Sequence, residues 1–304
     1  MNGACDADAG VCGFFFCYYG SMILFPIAAA VLQAVSFTLD KVVLSLKRIN
    51  FRTYTGVSFP LSFLVNLVLF FAFRPLIPEG VFAGYYGWLL LSAIAIGFLM
   101  NILFYRALDH DKLGEIETLG LLNTVPIIIV SGMIFTDERN FTVLVPALVA
   151  SAAIVWSHWE RHHIKIARDT LPYLICSLII APVSAVISKE LLTVWNPIAL
   201  EMVRTGALAA AFIFVFRDAI AKVPAHALRL LILTNILTTV AWVLFYFGYQ
   251  RLGIVHTLLL FPLQPFLVYM SSVFILKEHP SWKRTVGFVI VLVSIGVAEW
   301  INYM

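Results

Sequence analysis

Charge is scarce in this chain. Asp, Glu, Lys and Arg make up 12% of its 304 residues, against roughly 25% in a soluble domain. So few charges cannot clothe a folded surface in water. The net charge is +3, with no basic stripe and no interleaving of basic and aromatic residues, which excludes a nucleic-acid partner. Cysteine is also rare. Cys5, Cys12, Cys17 and Cys176 match neither a zinc pair nor a disulfide framework and read as free thiols. His162 and His163 are neighbours in a charged loop and make a poor ligand pair. No nucleophile sits with a base, so a membrane-embedded enzyme ranks low. No metal or cofactor is expected. Residues 1–21 lack a basic n-region, which argues against a signal peptide; they are expected to form an N-terminal tail ahead of Met22.

Apolar length is what the chain has. Hydrophobic residues make up 62% of it, and the mean hydropathy is +0.96. Its solvent is therefore lipid. A membrane-spanning helix needs about 20 mostly apolar residues. Ten runs qualify: 22–45, 52–74, 84–108, 113–135, 141–158, 171–193, 196–217, 227–250, 253–276 and 282–303. The longest polar connection is Glu160–Thr170, between the fifth and sixth runs.

The chain is written twice. The stretch from Asn101 to Trp159 answers the stretch from Trp242 to Trp300. Leu103-Phe104-Tyr105 answers Leu244-Phe245-Tyr246, Leu113-Gly114 answers Leu252-Gly253, Pro126 answers Pro265 and Glu138 answers Glu278. Lys41 ends the first run as Lys189 ends the sixth. Asn50 precedes the second run and Asn196 the seventh. The reading is an all-α membrane protein of ten transmembrane helices, arranged as two five-helix repeats, 22–158 and 171–304, joined by a polar linker, 159–170. An odd number of spans turns the second copy upside down, giving inverted repeats.

Lys and Arg set the orientation. The odd-numbered loops carry Lys47, Arg48, Arg52, Arg106, Lys112, Arg161, Lys165, Arg168, Arg217, Lys222, Arg229, Lys277, Lys283 and Arg284. The even-numbered loops carry Arg74, Arg139 and Arg251. This bias puts the odd loops in the cytoplasm and both termini outside.

Ionisable groups inside a bilayer are functional candidates by default. Glu201 and Arg204 are three apart on one helical face, close enough to pair; a structural ion pair is the first reading. Glu117 and His256 are repeat equivalents. Inversion sends them to opposite membrane faces, so they are candidates for the two cavity mouths or for proton coupling, without touching each other. Lys41 and Lys189 are expected to snorkel to the interface. Asp40 and Lys41 are adjacent and share no face. Uncharged polar residues near span centres are Gln33, Asn66, Asn101, Asn123, Ser184, Asn235 and Gln264, accompanied by Tyr105, Trp242 and Tyr246. Amides with aromatic walls suit a small organic solute; interhelical glue is the alternative. Pro126, Pro262 and Pro265 break helical hydrogen bonding and are candidate gating kinks.

In their order and doubling, the Phe-Tyr helix, the Leu-Gly turn, the proline-bearing helix and the turn closed by Glu138 or Glu278 resemble a ten-helix EamA-type member of the drug/metabolite transporter superfamily. The segment "NPIALEMVRTGALAAAF" with Arg204, and the lysines 41 and 189, add to the likeness, which covers nearly the whole chain from Met22. Two features depart from the pattern: Ser58 stands where the second copy has Arg204, and the usual basic loop is reduced to "RPLIPEG". The resemblance implies both termini in the cytoplasm, against the Lys/Arg count. It also implies a plasma (inner) membrane carrier of small metabolites, often an exporter of amino acids or related compounds. Its cavity lies between the halves, and its substrate-binding residues map to Gln33, Asn101, Tyr105, Asn123, Ser184, Asn235, Trp242, Tyr246 and Gln264. The function expected is secondary transport by alternating access, with proton coupling as a hypothesis and a channel or facilitator as the alternative. The partners are a small-molecule solute and the lipid bilayer. A monomer suffices, and a dimer is compatible.

Overall fold

The computed structural model describes residues 9–303, apart from 48, 140, 158, 161–162, 165–169, 221–222, 262 and 278–281. The chain is helical almost throughout. Its helices are α1 (Ala9–Leu44), α2 (Phe51–Phe73), α3 (Gly84–His110), α4 (Leu113–Gly120), α5 (Thr124–Ile134), α6 (Phe141–Ser157), α7 (Leu171–Leu192), α8 (Pro197–Ile220), α9 (Ala225–Leu260), α10 (Leu263–Phe274) and α11 (Trp282–Tyr303). The expected polar linker contains two short strands, β1 (Trp159–Glu160) and β2 (His163–Ile164), paired antiparallel. The first helix begins at Ala9, ahead of the expected boundary at Met22.

Among the described residues, six helices are long and apolar enough to cross a membrane: Ile23–Leu44, Phe51–Phe73, Gly84–His110, Leu171–Leu192, Pro197–Asp218 and Ala225–Leu260. Leu121–Ile134, Leu144–Ser157 and Leu263–Phe274 are shorter apolar pieces. Side chains such as Phe71, Trp88, Met133, Ile179, Phe214 and Phe274 point outward, as lipid-facing residues must. The protein is an integral membrane protein.

Local chemistry explains the helix ends. Asn50 caps α2, its Oδ1 accepting from the Thr53 N–H at 3.0 Å. Asn196 does the same for α8, accepting from Ile198 N–H at 2.9 Å, with Pro197 at the first helical position, where a missing N–H costs nothing. Arg74 closes α2 in the left-handed conformation, its N–H returning to the Phe70 carbonyl.

The expected single run 113–135 is broken. Between α4 and α5 lies a 3-10 turn, Leu121–Asn123. Pro126 has no N–H, so the Leu122 carbonyl loses its partner one turn on, and the chain tightens there. The eighth and ninth runs share α9, whose 36 residues would measure about 54 Å if straight, well beyond a hydrocarbon core of roughly 30 Å. The helix kinks at Gly253, with φ 85° and ψ 175°, a conformation open essentially to glycine alone.

Packing joins distant parts of the chain. α1 lies along α9 and α10, α2 along α8 and α9, α3 along α7, α4 on α10, α5 on α7 and α6, and α6 along α11. Between apolar helices in lipid, the gain comes from close contact and interhelical hydrogen bonds rather than from water release. At Gly206 a side chain would begin 2.9 Å from the Phe63 ring, so α8 approaches α2 closely. Asn66 of α2 donates to Thr205 Oγ1 of α8 at 3.1 Å. One buried cluster gathers around Trp195, Leu200, Tyr246 and Ile254, another around Tyr54, Leu108, Ile116 and Leu231.

Candidate functional site

A cavity of about 380 Å³ opens inside the bundle, walled by α1 to α5 and α7 to α10. Gln33, Asn101, Tyr105, Asn123, Ser184, Asn235, Trp242, Tyr246 and Gln264 all line it. Six helical elements supply these nine side chains, so the fold brings together residues that lie far apart in sequence. Glu117 and Pro265 line it too. His256 and Pro126 are not among the lining residues, though Ile127 beside Pro126 is. Pro262 and Glu278 lie outside the described residues.

The amides are not equally free. Asn235 accepts from Ser58 Oγ at 2.7 Å and Ser62 Oγ at 2.6 Å, and its own amide donates to the Leu231 carbonyl at 2.6 Å. It therefore stitches α2 to α9. Asn101 donates to the Gly97 carbonyl at 2.7 Å. Asn123 receives Ser177 Oγ at 3.3 Å. Gln33 is 3% exposed, and its Nε2 meets no hydrogen-bond partner among the described residues. A buried donor left unmade is costly, so Gln33 is the amide with most to offer an incoming group.

Two carboxylates face the cavity, and each has a partner. Glu117 accepts from Gln264 Nε2 at 2.6 Å. Glu201 meets Arg204 Nη1 at 3.3 Å, as their three-residue spacing predicts. The Arg204 guanidinium also lies 5.3 Å from the centre of the Tyr246 ring, a cation–π distance. Trp242 stands beside Tyr246 at 5.8 Å. The ion pair and its aromatic neighbours form one wall with both signs of charge within it.

The two lysines expected to snorkel are tied into the protein instead. Lys41 donates to the carbonyls of Leu108 and Asp111 at 2.6 and 2.7 Å, closing the end of α3. Lys189 binds Glu138 at 2.5 Å and Asp137 at 2.6 Å, over the Phe135 ring at 4.6 Å. A long ammonium stem reaches water only if no nearer acceptor is offered, and helix-end carbonyls and carboxylates outcompete it here. The Lys189 hydrogen bond holds the Asp137 carboxyl below its usual range. That contribution is present above the usual carboxylate range and fades as pH falls through the depressed value.

Glu138 does more than close a turn. Its two oxygens accept from the N–H groups of Ile254 at 2.7 Å and Val255 at 3.0 Å, capping the helical segment that restarts after Gly253. A carboxylate there satisfies orphan donors and meets the positive end of the helix dipole. Sequence reading missed this because the partner lies 116 residues on. It also noted Asp40 only as a neighbour of Lys41 on another face and gave it no role; Asp40 is fully buried on α1 and accepts from Tyr54 and Thr234. The available signal was the four-residue spacing of Ser36 and Asp40, repeated in Thr234 and Thr238.

No curated protein matches the chain. A solved crystal structure of a protein has the same fold, with a TM-score of 0.69 and 16% identity, covering 93% of this chain and 97% of that one. The model of the EamA-like transporter family matches residues 170–299, from the start of α7 into the last turns of α11, a similarity consistent with membership of the drug/metabolite transporter superfamily.

Proposed function

We propose that the chain is a secondary transporter that exports small zwitterionic metabolites, amino acids or close relatives, across the plasma membrane by alternating access. The observation that carries this is the shared cavity. It combines an ion pair, Glu201 with Arg204, aromatic walls at Trp242 and Tyr246 and a Gln33 amide whose Nε2 meets no partner among the described residues. A carboxylate and a guanidinium in one wall complement an ammonium and a carboxylate in the solute. An aromatic face suits its side chain. The volume suits a molecule of that size rather than a large conjugate.

The proposed architecture is ten spans in two inverted five-helix repeats. The helix pairings support it. α1 with α9 answers α7 with α3; α2 with α8 and α6 with α11 are each their own equivalents. Such an arrangement centres a site between the halves. The interrupted segments α4–α5 and α9–α10, with Pro126, Pro262 and Pro265, are the proposed gates. Glu117 is a proposed proton-coupling residue on the cavity wall, and His256 a candidate for an entrance. A monomer contains the whole pathway.

The test is a thermal-shift screen of purified protein against amino acids, polyamines, sugars and nucleotides. A ligand that binds the folded state raises its melting temperature, by roughly 2.7 kcal/mol of stability at a hundredfold excess over Kd. A saturable shift with amino acids, lost in Trp242→Ala and in Arg204→Met, is the expected result. A shift with polyamines or nucleotides only would overturn the zwitterion reading.

A further inference from the structure

A line of hydroxyl groups leaves the cavity wall and ends on a buried carboxylate. Thr238 lines the cavity. Its Oγ1 is hydrogen-bonded to Ser36 Oγ. Ser36 Oγ is 2.7 Å from Thr234 Oγ1. Thr234 Oγ1 donates to Asp40 Oδ1 at 2.5 Å, and Tyr54 Oη donates to the same oxygen at 2.5 Å. Ser36, Thr234 and Asp40 are all fully buried. The pairs Ser36–Asp40 and Thr234–Thr238 are each one helical turn apart, so α1 and α9 zip together along this line. Asp40 Oδ2 meets no hydrogen-bond partner among the described residues.

We propose that Asp40 is a protonation site in communication with the central cavity, reached through the hydroxyl relay Thr238–Ser36–Thr234. Packing alone would be served by apolar residues, whereas a carboxylate without access to water is expensive. With Asp40 ionised, every hydroxyl points along the chain towards it. A hydrated proton in the cavity binds Thr238 Oγ1. Thr238 passes its own proton to Ser36, Ser36 to Thr234, and Thr234 to Asp40 Oδ1. Each O–H bond breaks as the next forms, so the net change is one proton taken from cavity water and one carboxylate neutralised. The chain then points outward, with Asp40 Oδ1–H donating back to Thr234. The titratable groups that face Asp40 from neighbouring elements are Tyr54 on α2, Tyr105 on α3 and Glu117 on α4. On its own helix, Lys41 is turned to the end of α3. Glu117 lies on the cavity wall, so solute and proton can sense one another there. This inference rests on the cavity being the transport pathway.

The test is infrared difference spectroscopy of the full chain in lipid nanodiscs after a downward pH jump. A protonated Asp40 leaves Oδ2 as a carbonyl with no donor, so its C=O stretch falls at the high-frequency end of carboxylic acids. Glu117, held by Gln264, absorbs lower. The high-frequency band is expected in the wild type and absent in Asp40→Asn, which keeps the acceptor that Tyr54 and Thr234 need to fold. Ser36→Ala is expected to keep the band's final size and slow its rise by about tenfold or more. A band that survives Asp40→Asn, or one that rises at the wild-type rate in Ser36→Ala, would overturn the relay. In proteoliposomes loaded with labelled amino acids, Asp40→Asn is expected to lose pH-driven accumulation and keep exchange. Accumulation unchanged in Asp40→Asn would overturn the coupling role. If the infrared results hold while the wild type moves no amino acid, the solute reading fails and the protonation site stands.

Discussion

Glu138 and Gly253 show how much one contact can organise. A Cβ at Gly253 would lie 2.5 Å from Glu138 Oε1, and the backbone there has φ 85°. Both the cap and the kink therefore need a bare α-carbon. Gly253→Ala should cost about 1–3 kcal/mol from the backbone alone. Glu138→Ala should cost about 3 kcal/mol, since it leaves Lys189 short of a buried partner and two N–H groups uncapped. The two changes damage one junction, so the double variant should lose less than the sum. Thermal unfolding in detergent checks all three; full additivity would mean the junction is not a unit. Glu138 was visible in the sequence as a repeated turn residue. Its role as a cap was not, because nothing local signals a partner in the other half.

At the scale of elements, legibility followed the continuity of the apolar pattern. The second, third, sixth and seventh runs are found as α2, α3, α7 and α8 with ends within a few residues, and Asn50 and Asn196 cap where the repeat aligned them. The fourth and ninth runs are apolar enough on average to read as continuous spans, yet both are interrupted. Hydropathy registers the solvent of a segment and is blind to backbone geometry; Pro126, Pro262 and Pro265, with the Leu-Gly turn at Gly253, were the hints of the breaks. Contact between α2 and α8 depends on a missing side chain at Gly206. Gly206→Val should wedge against Phe63 and part the helices, at a cost of about 1–3 kcal/mol typical of overpacking. Gly206→Ala should cost less, because a ring edge can shift. A lowered melting temperature for Val and a milder one for Ala is the expected order. Equal values would show that the close approach is immaterial.

For the whole molecule, the orientation of the bundle is the property most exposed to test. Fourteen Lys and Arg in the odd loops against three in the even loops predict odd loops in the cytoplasm and the C-terminus outside. A reporter that is active only outside the cytoplasm, fused after Met304, should be active. One fused in the loop after Leu44 should be silent. The reverse pattern would favour the orientation implied by the family resemblance. Ends on opposite sides would remove the even number of spans on which the inverted-repeat proposal rests.

Composition alone determined that this protein lives in lipid, because a chain with 12% charge has no way to present itself to water. Internal repetition alone pointed to paired halves and to the amides that their helices carry inward. Tertiary structure decided which of those amides are already bonded, as Asn235 is, and which have capacity to spare, as Gln33 has. It also decided that Lys41 and Lys189 bind protein rather than water, and that Ser36, Thr234 and Asp40 form one line. The physical reason is common to all of these. Periodicity assigns a residue to a face of its own helix, but a hydrogen bond needs a partner within about 3 Å. Here those partners come from helices up to two hundred positions away, as Ser36 and Thr238 do across α1 and α9.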